Sequence, residues 1–378
     1  RLELALHHII IVPGLRYFVR AVFFVSHVLL ILTVVLFLLL PRFKTGILMS
    51  PINLSSVTEI GFSDHVAIGD VGKLLESREV VMRVRVANMR PRQFQRVMPR
   101  LLMRGRVFEG YKDGKWYTYT NLPGMRYNSQ KKSPPESDEG GWFYPRREPG
   151  EMAYGNRRSK HWREVEYEVY LEPLDSKVLF ALYLPRRVWM PRGADWSWDQ
   201  HNAELEVNQG RATRLKYRVS SRILVLDHKK PPPCAKAALG IKPLHLAVPR
   251  EIEPTLEAKL AEIRDLYEPK TDWEMAAAIE RYLKSSGEYG YTLDKQSMGR
   301  GDPIVGFLEN VKAGHCEYFA SAMVLLCRQA GLPARLVIGF KGGDFDPKTK
   351  LHVIRQKHAH AWVEVQFYTT RDRREWAW

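Results

Sequence analysis

The chain has 378 residues, 45% of them hydrophobic, and a formal net charge of +16; it is longer than one ordinary domain and too apolar for a disordered polymer. Its three cysteines, Cys234, Cys316 and Cys327, are too few and too odd in number for a disulfide framework. The charge is concentrated between Arg83 and Lys132, where thirteen Lys/Arg face only Glu109 and Asp113; this reads as a solvated basic strand face or as a surface for anionic lipid or an anionic envelope polymer, and the lack of a nucleic-acid-binding motif sets nucleic acid aside.

Residues 1–20 read as a juxtamembrane connector. The next twenty, Ala21 to Leu40, are interrupted only by Ser26, His27 and Thr33, which predicts a transmembrane helix over 21–41. The stretch exceeds the apolar region of a signal peptide, and no small-residue cleavage site follows it. Arg16 and Arg20 before it balance Arg42 and Lys44 after it, so charge alone does not orient it. The opening at Arg1 without a methionine, and the end at Trp378 inside a strand pattern, predict a piece of a longer chain.

Ser50 to Ser77 is polar, turn-rich and without period. From Glu79 the pattern alternates, with Val80, Met82, Val84 and Val86 on one face and Arg83 and Arg85 on the other. Further strand patterns at 101–109, 116–120, 164–171, 179–184 and 213–219 predict an antiparallel β domain over 42–228. The Lys229-Lys230-Pro231-Pro232-Pro233 run opens a stiff linker over 229–254. Helical spacing follows: Leu256, Leu260, Ile263 and Tyr267, then a capping-box sequence at Thr271 to Glu274 with Met275, Ile279 and Tyr282 behind it. A short extended stretch at Tyr289 to Leu293 and a short helix at 303–310 lead to a helix after Gly314 that Gly331-Leu332-Pro333 stops. Strands at 335–340, 352–355 and 359–367 close the pattern. Helices first and sheet second give an α+β unit over 255–378.

One constellation in that unit carries chemistry. A thiol is a nucleophile as thiolate, and a cysteine at a helix N-terminus has unpaired N–H groups and the helix dipole to favour the anion. Cys316 holds such a place, and its own N–H is then a candidate oxyanion donor. Cys327 falls on the apolar stretch of the same helix and reads as inert; at eleven residues, about 16 Å along a helix, it is out of disulfide range of Cys316. A base is available in Lys357-His358-Ala359-His360-Ala361-Trp362, where either His358 or His360 fits by spacing alone. A His-x-His metal site with His315 or Cys316 is an alternative, without a second ligand cluster to complete it.

These residues, taken together, resemble a known family. Gly314-His315-Cys316-Glu317-Tyr318-Phe319-Ala320, Gly331-Leu332-Pro333-Ala334-Arg335, Gly339-Phe340, Arg355-Gln356 and Ala359-His360-Ala361-Trp362-Val363-Glu364 are similar to the papain-like transglutaminase core of bacterial membrane-anchored transglutaminase-like proteins. The likeness is specific over about 255–378. It extends loosely upstream through Gly61 to Asp64 and the Leu101 to Phe108 stretch. It implies Cys316 as nucleophile and His360 as base, and an α+β papain-like fold behind a β domain and a transmembrane helix. It also implies an extracytoplasmic catalytic domain and acyl transfer from protein or peptide glutamine carboxamides to an amine or to water, with no cofactor and no metal. A cysteine peptidase or amidase on the same fold, or a non-catalytic binding module, are the rival readings. The family also has an aspartate on the strand after the histidine. None is suitably placed here: Glu364 sits four strand residues, roughly 13 Å, from His360, and Asp372 falls in a charged loop. The aspartate is therefore expected on a continuation of the chain within about ten residues of Trp378.

Overall fold

The structure, a computed structural model, describes residues 13–39, 62–88, 102–121, 131–132, 142–143, 162–174, 176–183, 185–199, 202–208, 213–224, 243–294, 296–368 and 376–377. Two units separate, Arg1–Asn53 and Leu54–Trp378. The first contributes α1, Pro13–Leu39, which starts earlier than the expected span because proline fits the first turn of a helix, where its missing N–H is not needed. Its window Tyr17–Val35 has a mean hydropathy of 2.3 and the length to cross a bilayer. The polar residues inside it turn back on the backbone: His27 Nδ1 meets the Phe23 carbonyl (2.8 Å), and Thr33 Oγ1 donates to the Leu29 carbonyl (2.7 Å). These two bonds spare His27 Nδ1 and the Thr33 hydroxyl a partner that lipid cannot supply.

The second unit opens with β1, His65–Ala67, and α2, Asp70–Leu75, in the stretch where no periodicity was evident. Then come β2, Val80–Val86, β3, Leu102–Phe108, β4, Gly110–Lys112, and β5, Lys115–Tyr117. They are followed by β6, Trp142–Phe143, β7, Trp162–Leu171, β8, Ala181–Leu182, β9, Pro185–Trp189, and β10, Leu215–Leu224. The helical section holds α3, Glu253–Tyr267, and α4, Asp272–Ser285. Next are β11, Gly290–Tyr291, β12, Ala313–Gly314, and α5, Cys316–Gln329. The last strands used here are β13, Ala334–Lys341, β14, Asp344–Asp346, β15, Leu351–Arg355, and β16, Ala359–Val365.

The strand pairing interleaves the two halves of this unit. A four-stranded antiparallel sheet runs β8-β3-β13-β16, and a seven-stranded one runs β14-β15-β2-β7-β10-β9-β6. β3 from the upstream β region thus lies beside β13 of the downstream unit, and β2 beside β15. Packed on the sheets, α5 is buried almost all round, the composition expected of a central helix. α3 turns Leu256, Leu260 and Ile263 inward, and α4 turns Ile279, Tyr282 and Leu283 inward. The capping box of α4 forms as the sequence predicts, with the Glu274 N–H donating to Thr271 Oγ1 (3.2 Å) and the Thr271 N–H to Glu274 Oε2 (3.1 Å).

Two expectations change. The described part of the basic stretch is not a free cationic face, because β7 and the residue after it lay glutamates beside it: Arg85 pairs with Glu168 and Arg83 with Glu172. Arg104 and Arg106 are buried, the first against Glu364, the second against Glu204, Glu206 and Asp64. Within the expected linker, residues 243–246 form a 3-10 turn that buries His245, whose Nε2 lies 2.7 Å from Glu109 Oε1. Cys234 lies outside the described residues.

Candidate active site

The approach to α5 fixes its first residue. β12 delivers Gly314, His315 follows in an extended conformation (φ −97°, ψ −176°), and the helix begins at Cys316. Gly314 is required by proximity: a side-chain carbon there would fall 2.8 Å from Cδ2 of Tyr318, whose ring packs over it. Tyr318 also stands edge-on to His315, with centroids 5.1 Å apart. Cys316 is 5% exposed and its sulfur faces β16, where the Ala361 N–H donates to it. The N–H groups of Glu317 and of Cys316 itself also point at the sulfur. The helix start and the strand carrying His360 are therefore in direct contact through the residue next to that histidine.

Burial sets the protonation of both groups. The Cys316 thiol is pushed up to about 12 by desolvation, with the neighbouring Glu317 carboxylate adding to it; the three N–H donors work the other way and do not prevail. The helix terminus alone was expected to lower this value, but a thiol under a closed surface loses more from desolvation than the dipole returns. His360 is pushed down to about 4, again by burial first, with the ammonium groups of Lys341 and Lys284 opposing protonation further. No carboxylate among the described residues acts on it. At neutral pH burial thus favours a neutral Cys316 thiol and a neutral His360 imidazole.

The upstream region supplies part of the wall. The Gly69 N–H donates to Glu317 Oε2 (2.9 Å), and α2 packs so tightly on His315 that a side-chain carbon at Gly72 would lie 3.0 Å from its Nε2. Trp116 Nε1 of β5 donates to Ser321 Oγ on the second turn of α5 (2.8 Å). At the far end of that helix, Arg328 donates to the carbonyls of Ala334, Ala247 and Glu109. α5 is held at both ends by segments that sequence spacing placed outside its own domain.

Of the other sequence candidates, His358 lies in the 3-10 turn before β16. Its Nδ1 accepts from the Arg355 N–H (3.1 Å), and its Nε2 is 3.7 Å from Asp344. Cys327 is fully buried on the core side of α5 and its thiol is pushed up to about 12 by burial. Both cysteines are free thiols. Glu364 does not turn to His360. Burial works to raise its carboxyl, yet Arg104 and Arg335 outweigh that and hold it below the ordinary carboxylate range, with Arg335 Nη2 at 2.7 Å and Nε at 2.9 Å. No group of three or more His, Cys, Asp or Glu side chains able to hold a metal occurs among the described residues. Spacing missed Tyr291, which lies opposite Gly314 with its ring centroid 6.4 Å from that of Phe319 on α5. The signal was only a short extended stretch, and nothing in it announced a pairing with β12.

Comparison with known proteins covers nearly the whole chain. Residues 4–227 match the model of the TgpA N-terminal domain and residues 260–377 that of the transglutaminase-like superfamily. Among curated proteins, the chain is 27% identical over 311 residues to a protein-glutamine gamma-glutamyltransferase of Pseudomonas aeruginosa, covering 80% of this chain and 38% of that protein. It is 33% identical over 119 residues to the uncharacterized protein YebA of Bacillus subtilis, covering 30% of this chain and 15% of that one. This chain thus spans well under half the length of either relative. The crystal structure of the periplasmic domain of TgpA from Pseudomonas aeruginosa shares the fold, with a TM-score of 0.57 at 24% identity over 84% of this chain and 94% of that one.

Proposed function

Because the chain belongs to the TgpA family, with a transglutaminase-like core behind the TgpA N-terminal domain, we propose that it is a membrane-anchored acyltransferase acting on glutamine carboxamides of proteins or peptides. In this reading α1 anchors the chain and the second unit works on the extracytoplasmic side, as the periplasmic relative suggests. The observation that carries the proposal is the contact of the Cys316 thiol with the strand of His360.

The chemistry runs through these two groups. His360 takes the proton from Cys316 Sγ as the sulfur attacks the carboxamide carbon, and the oxyanion that forms is stabilised by the Cys316 N–H at the helix start. Collapse breaks the C–N bond, and His360 passes its proton to the departing ammonia. The thioester is then taken by a primary amine or by water, with His360 accepting a proton from the acceptor. Starting from a neutral thiol and a neutral imidazole, the proton moves between groups of matched charge state, so no buried ion pair must be held in the resting form. His360 needs a partner on its other nitrogen to hold the ring. The outer edge of β16 is unpaired among the described residues, which leaves an edge where a further strand could carry the expected aspartate.

Incorporation of a fluorescent primary amine into a glutamine-rich protein tests the reading, with Cys316→Ala as control. Amine incorporation that Cys316→Ala abolishes is expected. Ammonia release without incorporation would make water the acceptor, and incorporation surviving Cys316→Ala would end the assignment.

A further inference from the structure

The end of β13 sets a cationic rim beside His360. Gly339 lies directly opposite His360 in the β13–β16 register, so Lys341, two residues on, shares that face and is the diagonal neighbour of the imidazole. Such neighbours stand about 7–8 Å apart, within reach of a long side chain. Lys341 is exposed where His360 is half-buried. Across its other edge the lysine faces Leu102 of β3, which has no counter-charge to give. A second ammonium group that bears on the imidazole is that of Lys284, in the last turn of α4, whose side chain is 69% exposed.

The carboxylates at this end of the sheet are already engaged. Asp344 is shared by Arg355 and Lys357, each at 3.5 Å, and Glu280 is held by Lys284 at 2.8 Å. Lys341 pairs with no carboxylate among the described residues. Lys284, Lys341, Arg355 and Lys357 thus outnumber Asp344 and Glu280, four charges against two. The rim bears on the reaction as well as on the surface. In acyl transfer His360 holds a proton from the attack of the sulfur until ammonia leaves, and both lysines oppose that charge. A carboxylate brought to Lys341 by the donor offsets the opposition at that moment.

We propose that Lys341 is a specificity-determining residue, selecting donor peptides that carry a carboxylate side chain beside the reactive glutamine. The proposal rests on the acyl-transfer reading, with Cys316 as nucleophile and His360 as base. An acidic neighbour of the glutamine meets Lys341 as an exposed ion pair and should raise kcat/KM about two- to fivefold over a neutral one; a basic neighbour meets like charge and should lower it by a similar factor. The carboxylate counters the charge on His360 only while the imidazole is protonated, so part of the gain falls on kcat. Salt screens the whole effect.

The test compares peptide donors of one sequence in which the residues flanking the glutamine are glutamate, serine or lysine, on the full chain as wild type, Lys341→Gln and Lys341→Glu. The readouts are kcat and KM for incorporation of one fluorescent amine at low and at high salt; ratios between donors within each form cancel differences in folded protein. Wild type is expected to rank the glutamate donor first and the lysine donor last, with part of the spread in kcat and less of it at high salt. Lys341→Gln should lose most of the spread, and Lys341→Glu should invert it. Equal kcat/KM for the three donors in wild type, or a ranking that Lys341→Glu leaves unchanged, overturns the proposal. Titration of the same labelled peptides into Cys316→Ala forms, followed by fluorescence anisotropy, separates the two readings. If no form incorporates amine while binding favours the glutamate peptide and Lys341→Glu inverts that preference, Lys341 stands as the selecting residue and the acyl-transfer reading falls.

Discussion

Glu364→Gln should be among the most damaging conservative changes in the second unit. The carboxylate sits buried between Arg335, whose Nη2 and Nε reach Oε2 at 2.7 and 2.9 Å, and Arg104, whose Nε is 2.9 Å from Oε1. Glutamine keeps the shape, removes the charge and points an NH2 at guanidinium donors. Breaking a buried pair from one side leaves the remaining charge uncompensated, which costs about 3–5 kcal/mol. For a unit the size of Leu54–Trp378, an unfolding entropy of about 2.1 cal/mol/K per residue turns each kcal/mol into roughly 1.5 °C, so Tm should fall by about 5–7 °C. Calorimetry at pH 7 measures this, and replacing all three groups by apolar residues of similar volume should recover most of the loss. The sign with pH follows from a folded-state value below the unfolded one. The carboxylate's contribution is present above the unfolded carboxyl value, about 4.3, and is lost as pH falls through the lower folded value, so the gap between wild type and variant should close in acid. A Tm within about 1 °C of wild type at pH 7 would refute the view that Glu364 is the counter-charge holding β3, β13 and β16 together.

Three further outcomes follow from positions already described. Gly339→Ala would place a carbon 2.1 Å from the Met103 carbonyl oxygen and 2.9 Å from the Trp362 ring; a loss of about 1–3 kcal/mol in urea unfolding is expected from such overpacking, and wild-type stability would disprove the β3–β13 register. His245, His315 and His360 are each pushed down to about 4 by burial. Neutral when folded and charged when unfolded, they give stability that is present above about pH 6.5 and lost as pH falls towards 4. Proton uptake on unfolding in that window should drop by about one in His245→Gln, and an unchanged pH slope would count against its burial. Alkylation of wild-type Cys316 should climb about tenfold per pH unit without levelling below pH 10, because only the thiolate reacts; a plateau near neutrality would show a thiolate already formed.

The sequence is most legible where a local rule acts alone. The capping box at Thr271, the apolar stripe of α3 and the start of α5 at Cys316 follow from neighbours within one or two turns, and the structure has them. What spacing cannot convey is partnership across distance. Arg104 and Arg106 read as surface charge because Glu364 and Glu204 are far away in sequence, yet they are buried by those carboxylates. His358 and His360 are equivalent by spacing; the 3-10 turn at Gln356–His358 separates them. The 61–77 stretch has too short a strand and helix to show a period, so its contact with His315 and Glu317 was invisible. The Cys316 thiol shows the same division: the helix terminus is written in the sequence, and the burial that pushes the thiol up is not.

The interleaved sheets constrain how this protein comes into being. β3 pairs with β13, Phe108 lying opposite Leu336, and β2 pairs with β15, Val84 opposite His352. Each upstream strand is synthesised more than two hundred residues before the one it rests against, so at about 5–20 residues per second its edge waits for tens of seconds with backbone donors and acceptors open. Such non-local pairing folds slowly and leaves edges that invite aggregation. A recombinant piece limited to 255–378 would leave the facing edges of β13 and β15 open permanently, so the upstream strands act for that segment as a built-in scaffold that arrives first and stays.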